Sequence, residues 1–326
     1  MYVIERYKTI LGTITVALIF CISIIAMCIY ISSNGVYSEN GIEDTRKIVA
    51  TYMTMNNSYY KIINEEIRNK VQENGDILIT RDPALNLDKQ IEEIYEFIDL
   101  KVDAILITPV DWIGVKKALK DARKAGIKII AVDTDVFDDE LIDCTIASDN
   151  YKAGVQCAEE LMRSKESANI ILLEHTSVKS AIDRIKGFED TVSNNPNYKV
   201  LERRNCDGQL EKAMPAVEEM LENRNDVDTI MALNDPSALG ALMALEDMHI
   251  DGISVYGIDG SPDGKKMVNE SKMAVTVSQS PQKIGEISGS NLYDLLNGIS
   301  IEKKVVVPVN IINAENIEEY QLDTWQ

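Results

Sequence analysis

The chain has 326 residues, enough for two α/β lobes of about 100–150 residues each. Its formal net charge of −20 argues against nucleic acid and anionic lipid as partners, and its aromatic content of 6% favours an α/β core over a β-sandwich. Five cysteines without a CxxC pair and only two histidines indicate neither a disulfide framework nor a metal site. No GxGxxG or Walker-type loop points to a cofactor.

The beginning of the chain carries an apolar run. Residues 10–31 have no charge and match the length of about 20 residues that a helix needs to cross a membrane. The basic residues Arg6 and Lys8 precede this run, and acidic residues follow it. By the positive-inside rule we predict a cytoplasmic tail at residues 1–9, a transmembrane anchor or signal at residues 10–31, and an extracytoplasmic remainder.

A cleaved lipoprotein signal is the competing interpretation of the same run. It would make Cys28 the lipidated residue, but Met27 stands where such signals have a small residue, so the sequence favours an uncleaved anchor. Residues 32–46 are polar, contain glycine and show no hydrophobic period. We predict a flexible linker there.

Strand-like and helix-like segments alternate from residue 47. Apolar runs rich in β-branched residues predict four strands, at residues 47–53, 76–80, 103–108 and 128–132. Amphipathic helices separate them, the first capped by Asn56 or Asn57 and the second beginning at Asn86. Later runs predict further strands, including a single last strand at residues 304–309. This spacing is typical of βαβ units and predicts parallel sheets with right-handed crossovers.

Three strand-like runs in the second half each end in a polar residue, which are Asn234, Asp259 and Gln279. Helix-starting signals with Pro236 and Pro281 follow two of these runs, as in the βα units of a parallel sheet. In open α/β sheets the ligand lies beyond the carboxyl ends of the strands, so we expect the three polar side chains to face one ligand. None of them is a nucleophile, which favours binding of a polyhydroxylated molecule over chemistry on it.

Eight short segments occur in the order found in one known family. They are TMNNSYY, DLKVDAILITPVD, KAGIKIIAVDTD, ASDNYKAG, DRIKGFED, LNDPSALGALMAL, YGIDGSPDG and SQSPQKIG. From about Lys47 to its C-terminus the chain therefore resembles the type I periplasmic sugar-binding proteins, close to their ribose-binding branch. The resemblance implies two Rossmann-like lobes with parallel sheets, joined by three hinge crossings near residues 147–148, near Ser280 and near residues 309–311. Sugar would be held in the cleft between the lobes.

The resemblance also divides the chain into lobes. It implies an N-terminal lobe made of residues 47–147 and 281–309, and a C-terminal lobe made of residues 148–280 and 310–326. The absence of a helix-turn-helix before the first lobe excludes a regulator of the lactose-repressor type, which has the same core.

The family's pocket can be carried over residue by residue. It implies eight ligand-binding side chains, which are Asn57, Tyr59, Tyr60, Asp133, Arg184, Asn234, Asp259 and Gln279. Tyr59 and Tyr60 stand where the family has rings that stack on the sugar, and Asp133 matches a carboxylate that takes two hydroxyls. Other interpretations remain open: Tyr60 fits a helix core, Asp133 fits a turn cap, and Arg184 fits a solvated helix face.

Two departures from the family pattern concern the identity of the sugar. Thr134 stands where the family often has arginine, so one charged donor is missing. No aromatic residue stands near residues 207–208, where the family often closes the pocket with one. Trp112 could take that place, or it could be a surface or lobe-interface residue.

The expected function is that of a membrane-anchored, extracytoplasmic monosaccharide-binding protein that closes on its ligand. A pentose such as xylose or ribose is favoured, with a hexose or a furanosyl signal molecule behind it. The partner is either an ABC-type permease or a sensor histidine kinase, as in anchored relatives that sense xylose, and the sequence does not decide between them. No enzymatic activity, metal or cofactor is expected.

Three alternatives come from other arrangements or other classes of protein. The first is a cleaved lipoprotein that serves as the hexose-binding component of an ABC importer. The second is a glycoside-acting enzyme, which would need Asp133 and Asp259 as carboxylates paired across a glycosidic bond. The third is a purely structural partner protein, which would show no stabilisation by sugar.

Overall fold

A computed structural model describes residues 22–27, 45–222 and 224–325. Residues 22–27 are helical and exposed. The rest of the predicted anchor at residues 10–31, the tail at residues 1–9 and nearly all of the linker lie outside the described residues. Among the described residues, no helix has both the length and the apolar character needed to cross a membrane. Arg46–Gln326 form one compact unit.

The first half of this unit builds a six-stranded, all-parallel sheet with three helices. The strands are β1 (Lys47–Thr51), β2 (Ile77–Arg81), β3 (Ala104–Ile107), β4 (Lys128–Val132) and β5 (Cys144–Ser148), to which β11 (Lys304–Val307) is added from much later in the chain. Their spatial order is β11-β5-β4-β3-β1-β2. The helices are α1 (Ser58–Glu73), α2 (Leu87–Asp99) and α3 (Lys116–Lys124). The strands and helices predicted for this half are confirmed.

The second sheet also has six strands. They are β6 (Ala168–Glu174), β7 (Tyr198–Asn205), β8 (Thr229–Ala232), β9 (Ser254–Asp259), β10 (Val275–Ser278) and β12 (Asn310–Asn313). Their spatial order is β12-β10-β9-β8-β6-β7. The associated helices are α4 (Asn150–Ser164), α5 (Lys179–Val192), α6 (Leu210–Leu221), α7 (Asp235–Asp247) and α8 (Pro262–Asn269), while α9 (Pro281–Leu296) returns to pack on α1.

The edge strand β12 corrects the prediction of uniformly parallel sheets. The predicted last strand at residues 304–309 corresponds to β11, and the sequence did not predict β12, which follows on the other sheet after Pro308 and Val309. The chain leaves β11 at its carboxyl end and enters the second sheet beside the carboxyl end of β10, where Asn310 pairs with Ser278. Because it enters at that end, β12 can only run back along β10, so the pair is antiparallel.

Successive side chains of a central strand point to opposite faces of the sheet, which explains how the first sheet is buried on both faces. In β1, Val49 faces one hydrophobic cluster, while Ile48 and Ala50 face another on the opposite side. All three are fully buried. A fully buried side chain of the size of Ile48 or Val49 stabilises the fold by about 1.5–3 kcal/mol relative to an exposed one. Helices on both faces are therefore required, and polar residues are placed mainly at the two edges where the strands begin and end.

The chain passes between the two sheets three times, each time from the carboxyl end of a strand. The passages follow Ser148 at the end of β5, Ser278 at the end of β10 and Val307 at the end of β11. All three therefore lie at the edges where the carboxyl ends of both sheets face each other. This is the position at which a ligand is expected in an α/β fold.

Candidate ligand-binding site

A small cavity of about 40 Å³ lies between the carboxyl ends of the two sheets. Its lining includes all eight side chains predicted from the sequence, which are Asn57, Tyr59, Tyr60, Asp133, Arg184, Asn234, Asp259 and Gln279. A space of this size holds about three water molecules. The structure therefore brings the eight residues together, with the two lobes in contact across them.

The start of α1 supplies the aromatic side of the cavity. Asn57 caps the helix by accepting a hydrogen bond from the backbone N–H of Tyr59, which fixes where the helix begins. The rings of Tyr59 and Tyr60 meet edge to face, with centroids 5.4 Å apart. Both side chains are buried and both line the cavity, so for Tyr60 the core and the cavity interpretations hold together.

The two tyrosine hydroxyls converge on one carboxylate. The Tyr59 hydroxyl lies 2.9 Å from Asp133 Oδ1 and 3.1 Å from Gln279 Oε1, and the Tyr60 hydroxyl lies 3.2 Å from Asp133 Oδ2. Burial and the neighbouring carboxylate hold the pKa of both hydroxyls well above its usual range. Both tyrosines therefore remain protonated donors, and both oxygens of Asp133 are occupied.

On the opposite side, Arg184 is held in a fixed orientation. Its Nε donates to Asn150 Oδ1 at 2.8 Å, and one Nη donates to the Leu233 carbonyl at 3.0 Å and faces Asp259 Oδ1 at 3.3 Å. The Arg184 side chain is only 6% exposed, so the interpretation as a solvated helix face is wrong. Gln279 Nε2 donates to the same oxygen of Asp259 at 2.7 Å. An arginine held in this way presents a planar donor group to the cavity.

Two glycines allow this arrangement. A Cβ at Gly154 in α4 would stand 1.8 Å from the Arg184 carbonyl oxygen, and a Cβ at Gly187 in α5 would stand 2.1 Å from the Tyr151 carbonyl oxygen. The helices α4 and α5 therefore touch backbone to backbone. This contact brings Asn150, at the start of α4, within hydrogen-bonding distance of the Arg184 guanidinium.

Asp133 and Asp259, two carboxylates of the cavity, have unusual backbone conformations. Asp133 has φ of +72° and Asp259 has φ of +151°, in the region that residues with a side chain rarely adopt. Such conformations raise the free energy by about 1–3 kcal/mol each and concentrate at functional sites. The Asp133 N–H donates to the Ile146 carbonyl at 2.7 Å, a bond that helps to hold the strained residue in place.

Burial also shifts the ionisation of these carboxylates. Removal from water raises the pKa of Asp133 and of Asp259, and the Arg184 guanidinium opposes the rise without cancelling it. Hydroxyl donors from a ligand would favour the charged carboxylates and lower both pKa values again. The site is therefore suited to a ligand with several hydroxyl groups.

His175 and Asp207 also line the cavity, and the sequence interpretation missed both. His175 Nε2 lies 3.1 Å from Ser177 Oγ and 3.8 Å from Asp207 Oδ1. Burial is the main cause that lowers the pKa of His175, which favours its neutral form. The sequence contained a signal for His175, because this residue directly follows the carboxyl end of β6, as Gln279 directly follows the carboxyl end of β10.

Several hydrogen bonds join the two lobes at the edge of the cavity. The Trp112 N–H donates to the Ser177 carbonyl at 3.0 Å, and the Ser180 N–H donates to Thr134 Oγ1 at 2.9 Å. Trp112 packs on Phe137 and lies outside the cavity lining, so it is a lobe-interface residue rather than a substitute for the missing aromatic. Thr134 acts here as an acceptor for the opposite lobe.

The fold is that of a two-lobe α/β binding protein. Residues 48–300 match the family described as periplasmic binding protein domain. The chain is 28% identical over 293 residues to the ribose import binding protein of Escherichia coli strain K12, covering 89% of this chain and 96% of the relative. It is 26% identical over 276 residues to the ribose import binding protein of Bacillus subtilis strain 168, covering 84% and 89%.

A solved structure supports the same assignment of the fold. A solute-binding protein of an ABC transporter from Bacillus halodurans C-125, with bound myo-inositol, superimposes with a TM-score of 0.80 at 23% identity, covering 86% of this chain and 98% of that chain. The chain belongs to the type I periplasmic sugar-binding protein family, in its ribose-binding-like branch. The relatives are binding components of transport systems and not enzymes.

Proposed function

We propose that this protein binds one monosaccharide outside the cytoplasm, through the eight cavity residues, and closes around it. The convergence of these eight side chains on one cavity carries the proposal. Carboxylate, amide and guanidinium groups suit sugar hydroxyls, and the tyrosine rings suit the C–H face of a sugar ring. The ribose-binding names of the two relatives support a pentose, with ribose or xylose first.

Closure is the step that links binding to a signal. In the closed arrangement, Tyr59 reaches Gln279, and the Ser180 N–H reaches Thr134. The cavity of about 40 Å³ lies between the lobes and has room for only a few water molecules, so the entry of a sugar requires the lobes to separate, and its hydroxyls can then compete with those of Tyr59 and Tyr60 for Asp133. Sugar hydroxyls then replace them, and ligand binding favours the closed state by its differential affinity for the two states.

An ABC-type permease is the partner that the relatives' names support, because both are import binding proteins. The uncharged run at residues 10–31 supports a second candidate, an anchored receptor that contacts a sensor histidine kinase. Copurification of the full chain from membranes separates the two. A permease without a kinase would leave the importer role, and a kinase without a permease would leave the sensor role.

A thermal-shift screen of the detergent-solubilised full chain tests sugar binding itself. The panel contains D-ribose, D-xylose, L-arabinose and D-galactose. A sugar at 100-fold excess over its dissociation constant should stabilise the protein by about 2.7 kcal/mol. Asp259→Ala should abolish this shift, whereas the exposed Asp251→Ala should keep it. An equal response of both variants would place the sugar elsewhere, and no response of the natural protein to any sugar would contradict the proposal.

A further inference from the structure

Residues 314–325 follow β12 and lead to a contact with Tyr59, one of the residues that line the cavity. They include a short 3-10 helix, Ile317–Glu319, which packs against α8 of the second lobe. At the end of this segment the Trp325 ring lies against the Tyr59 ring, with centroids 5.5 Å apart and planes inclined by 60°. Tyr59 belongs to α1 of the first lobe, so this contact joins the two lobes.

A buried lysine holds the segment in this course. Lys265 in α8 is fully buried, and its ammonium donates to the backbone carbonyls of Gln321 and Thr324. A buried ammonium without partners is strongly unfavourable. The two carbonyls are therefore the reason that Lys265 can be buried, and Lys265 is in turn the reason that residues 321–325 follow one path.

Trp325 acts on a residue that occupies a central place in the cavity. The hydroxyl of Tyr59 contacts Asp133 from the first lobe and Gln279 from the passage between the lobes. Trp325 contacts the ring of the same tyrosine from the second lobe. As long as Lys265 holds residues 321–325 on the second lobe, separation of the lobes must therefore either break the Trp325–Tyr59 contact or move Tyr59 away from Asp133.

We propose that Trp325 is a positioning residue of the ligand site and that residues 314–325 form an interlobe clasp, fixed by Lys265, that favours closure. The inference rests on the proposed function, since it describes how that same site is held. An aromatic pair of this kind contributes enough to change an equilibrium by about three- to tenfold. Loss of the clasp therefore shifts the equilibrium toward the open state by that factor and weakens the affinity for ligand by up to the same factor.

The test compares four variants of the full chain. Trp325→Ala removes the ring, Trp325→Phe keeps a ring, Lys265→Met removes the ammonium at similar volume, and Glu318→Ala changes an exposed residue of the same segment as the control. D-ribose is the probe, and its dissociation constant is measured by calorimetry. We expect binding that is about three- to tenfold weaker in Trp325→Ala and Lys265→Met, and near-natural binding in Trp325→Phe and Glu318→Ala.

A second measurement needs no ligand. Hydrogen exchange of the first turns of α1, residues 58–64, should be about three- to tenfold faster in Trp325→Ala than in Glu318→Ala. Unchanged exchange would overturn the clasp. Faster exchange with an unchanged dissociation constant would make the contact merely structural and overturn the positioning role. Failure of the natural protein to bind D-ribose would count against ribose among the proposed pentoses, and the exchange result would then decide the clasp alone.

Discussion

Gly154 in α4 lies against the backbone of Arg184 in α5, at a distance that leaves no room for a side chain. The carbonyl of Arg184 occupies the place of the missing Cβ, while the Arg184 guanidinium, on the same residue, reaches Asn150 and Asp259. One residue thus fixes both the packing of two helices and the position of the cavity cation. The packing of α4 against α5 and the geometry of the ligand-binding site therefore depend on the same residue, Arg184.

Gly154→Ala should destabilise the protein by about 1–3 kcal/mol, because a methyl group forces two helix backbones apart. The same movement withdraws the guanidinium from the cavity and should weaken sugar binding. Urea unfolding measures the first effect, and Lys152→Ala, exposed on the same helix, is the control and should change stability by less than about 0.5 kcal/mol. Equal stability of the two variants would show that α4 and α5 are not packed as described.

Arg184 and Asp259 should be strongly coupled. Arg184→Ala removes the cation beside Asp259 and leaves Asn150 Oδ1 and the Leu233 carbonyl without their donor, and we expect a loss of about 3–5 kcal/mol. Asp259→Asn in the same chain removes the carboxyl group that needs the cation and should recover part of that loss. A double-mutant cycle by urea unfolding measures the coupling. Additive effects of the two substitutions would mean that the two side chains do not interact.

The unliganded protein should lose stability from Asp259 as the pH rises. Burial raises the folded-state pKa of Asp259 above its ordinary value of 3.8, so the folded state holds the proton more tightly than the unfolded state does. The contribution of Asp259 to the free energy of unfolding is therefore largest below pH 3.8, and it declines as the pH rises toward the folded-state pKa. Asp259→Asn carries no such charge, so its stability relative to the natural protein should increase from pH 4.5 to pH 7.5.

The size of the pH-dependent stability gain of Asp259→Asn follows from the pKa shift of Asp259. Each unit of pKa shift corresponds to about 1.4 kcal/mol, so the relative gain of Asp259→Asn should exceed about 1 kcal/mol. Asp251→Asn, at an exposed position, should follow the natural protein at both pH values. A saturating sugar should flatten the difference, because its hydroxyls favour the charged carboxylate. Parallel stability curves for Asp259→Asn and the natural protein would contradict the prediction.

Thr134→Val should weaken sugar binding without unfolding the protein. The substitution keeps the volume of the side chain but leaves the Ser180 N–H of the opposite lobe without its acceptor in the closed state. An unpaired buried donor is unfavourable by about 1–3 kcal/mol, so the dissociation constant should rise by about five- to a hundredfold. Calorimetry with the sugar found in the screen measures it, and Thr176→Val, at an exposed position next to His175, is the control.

The sequence was sufficient to locate most of the site because the site uses strand ends. Asn234, Asp259 and Gln279 each follow a buried apolar run, so period and polarity together fix their place at the carboxyl edge. Asn57 and Asn86 cap helices as predicted, because a cap is a local property. Family resemblance supplied the rest of the eight, including Arg184, for which helical spacing alone also fitted a solvated face.

What escaped prediction depends on contacts between distant segments. The antiparallel β12 follows from where the chain enters the second sheet, and the contact of Trp325 with Tyr59 joins the two ends of the described unit. The close approach of Gly154 to the backbone of Arg184 could not be predicted from the residue spacing in α4, because a glycine within a helix does not by itself indicate a helix–helix contact. The roles assigned to the eight cavity residues stay predictions until a sugar is bound.

The position of β11 has a consequence for biosynthesis. Five neighbouring strands of the first sheet are present once the ribosome has passed Ser148, but the sixth, Lys304–Val307, and the covering helix Pro281–Leu296 are translated only after the entire second sheet except β12. The nascent chain therefore cannot complete its first lobe until almost all of it has been made.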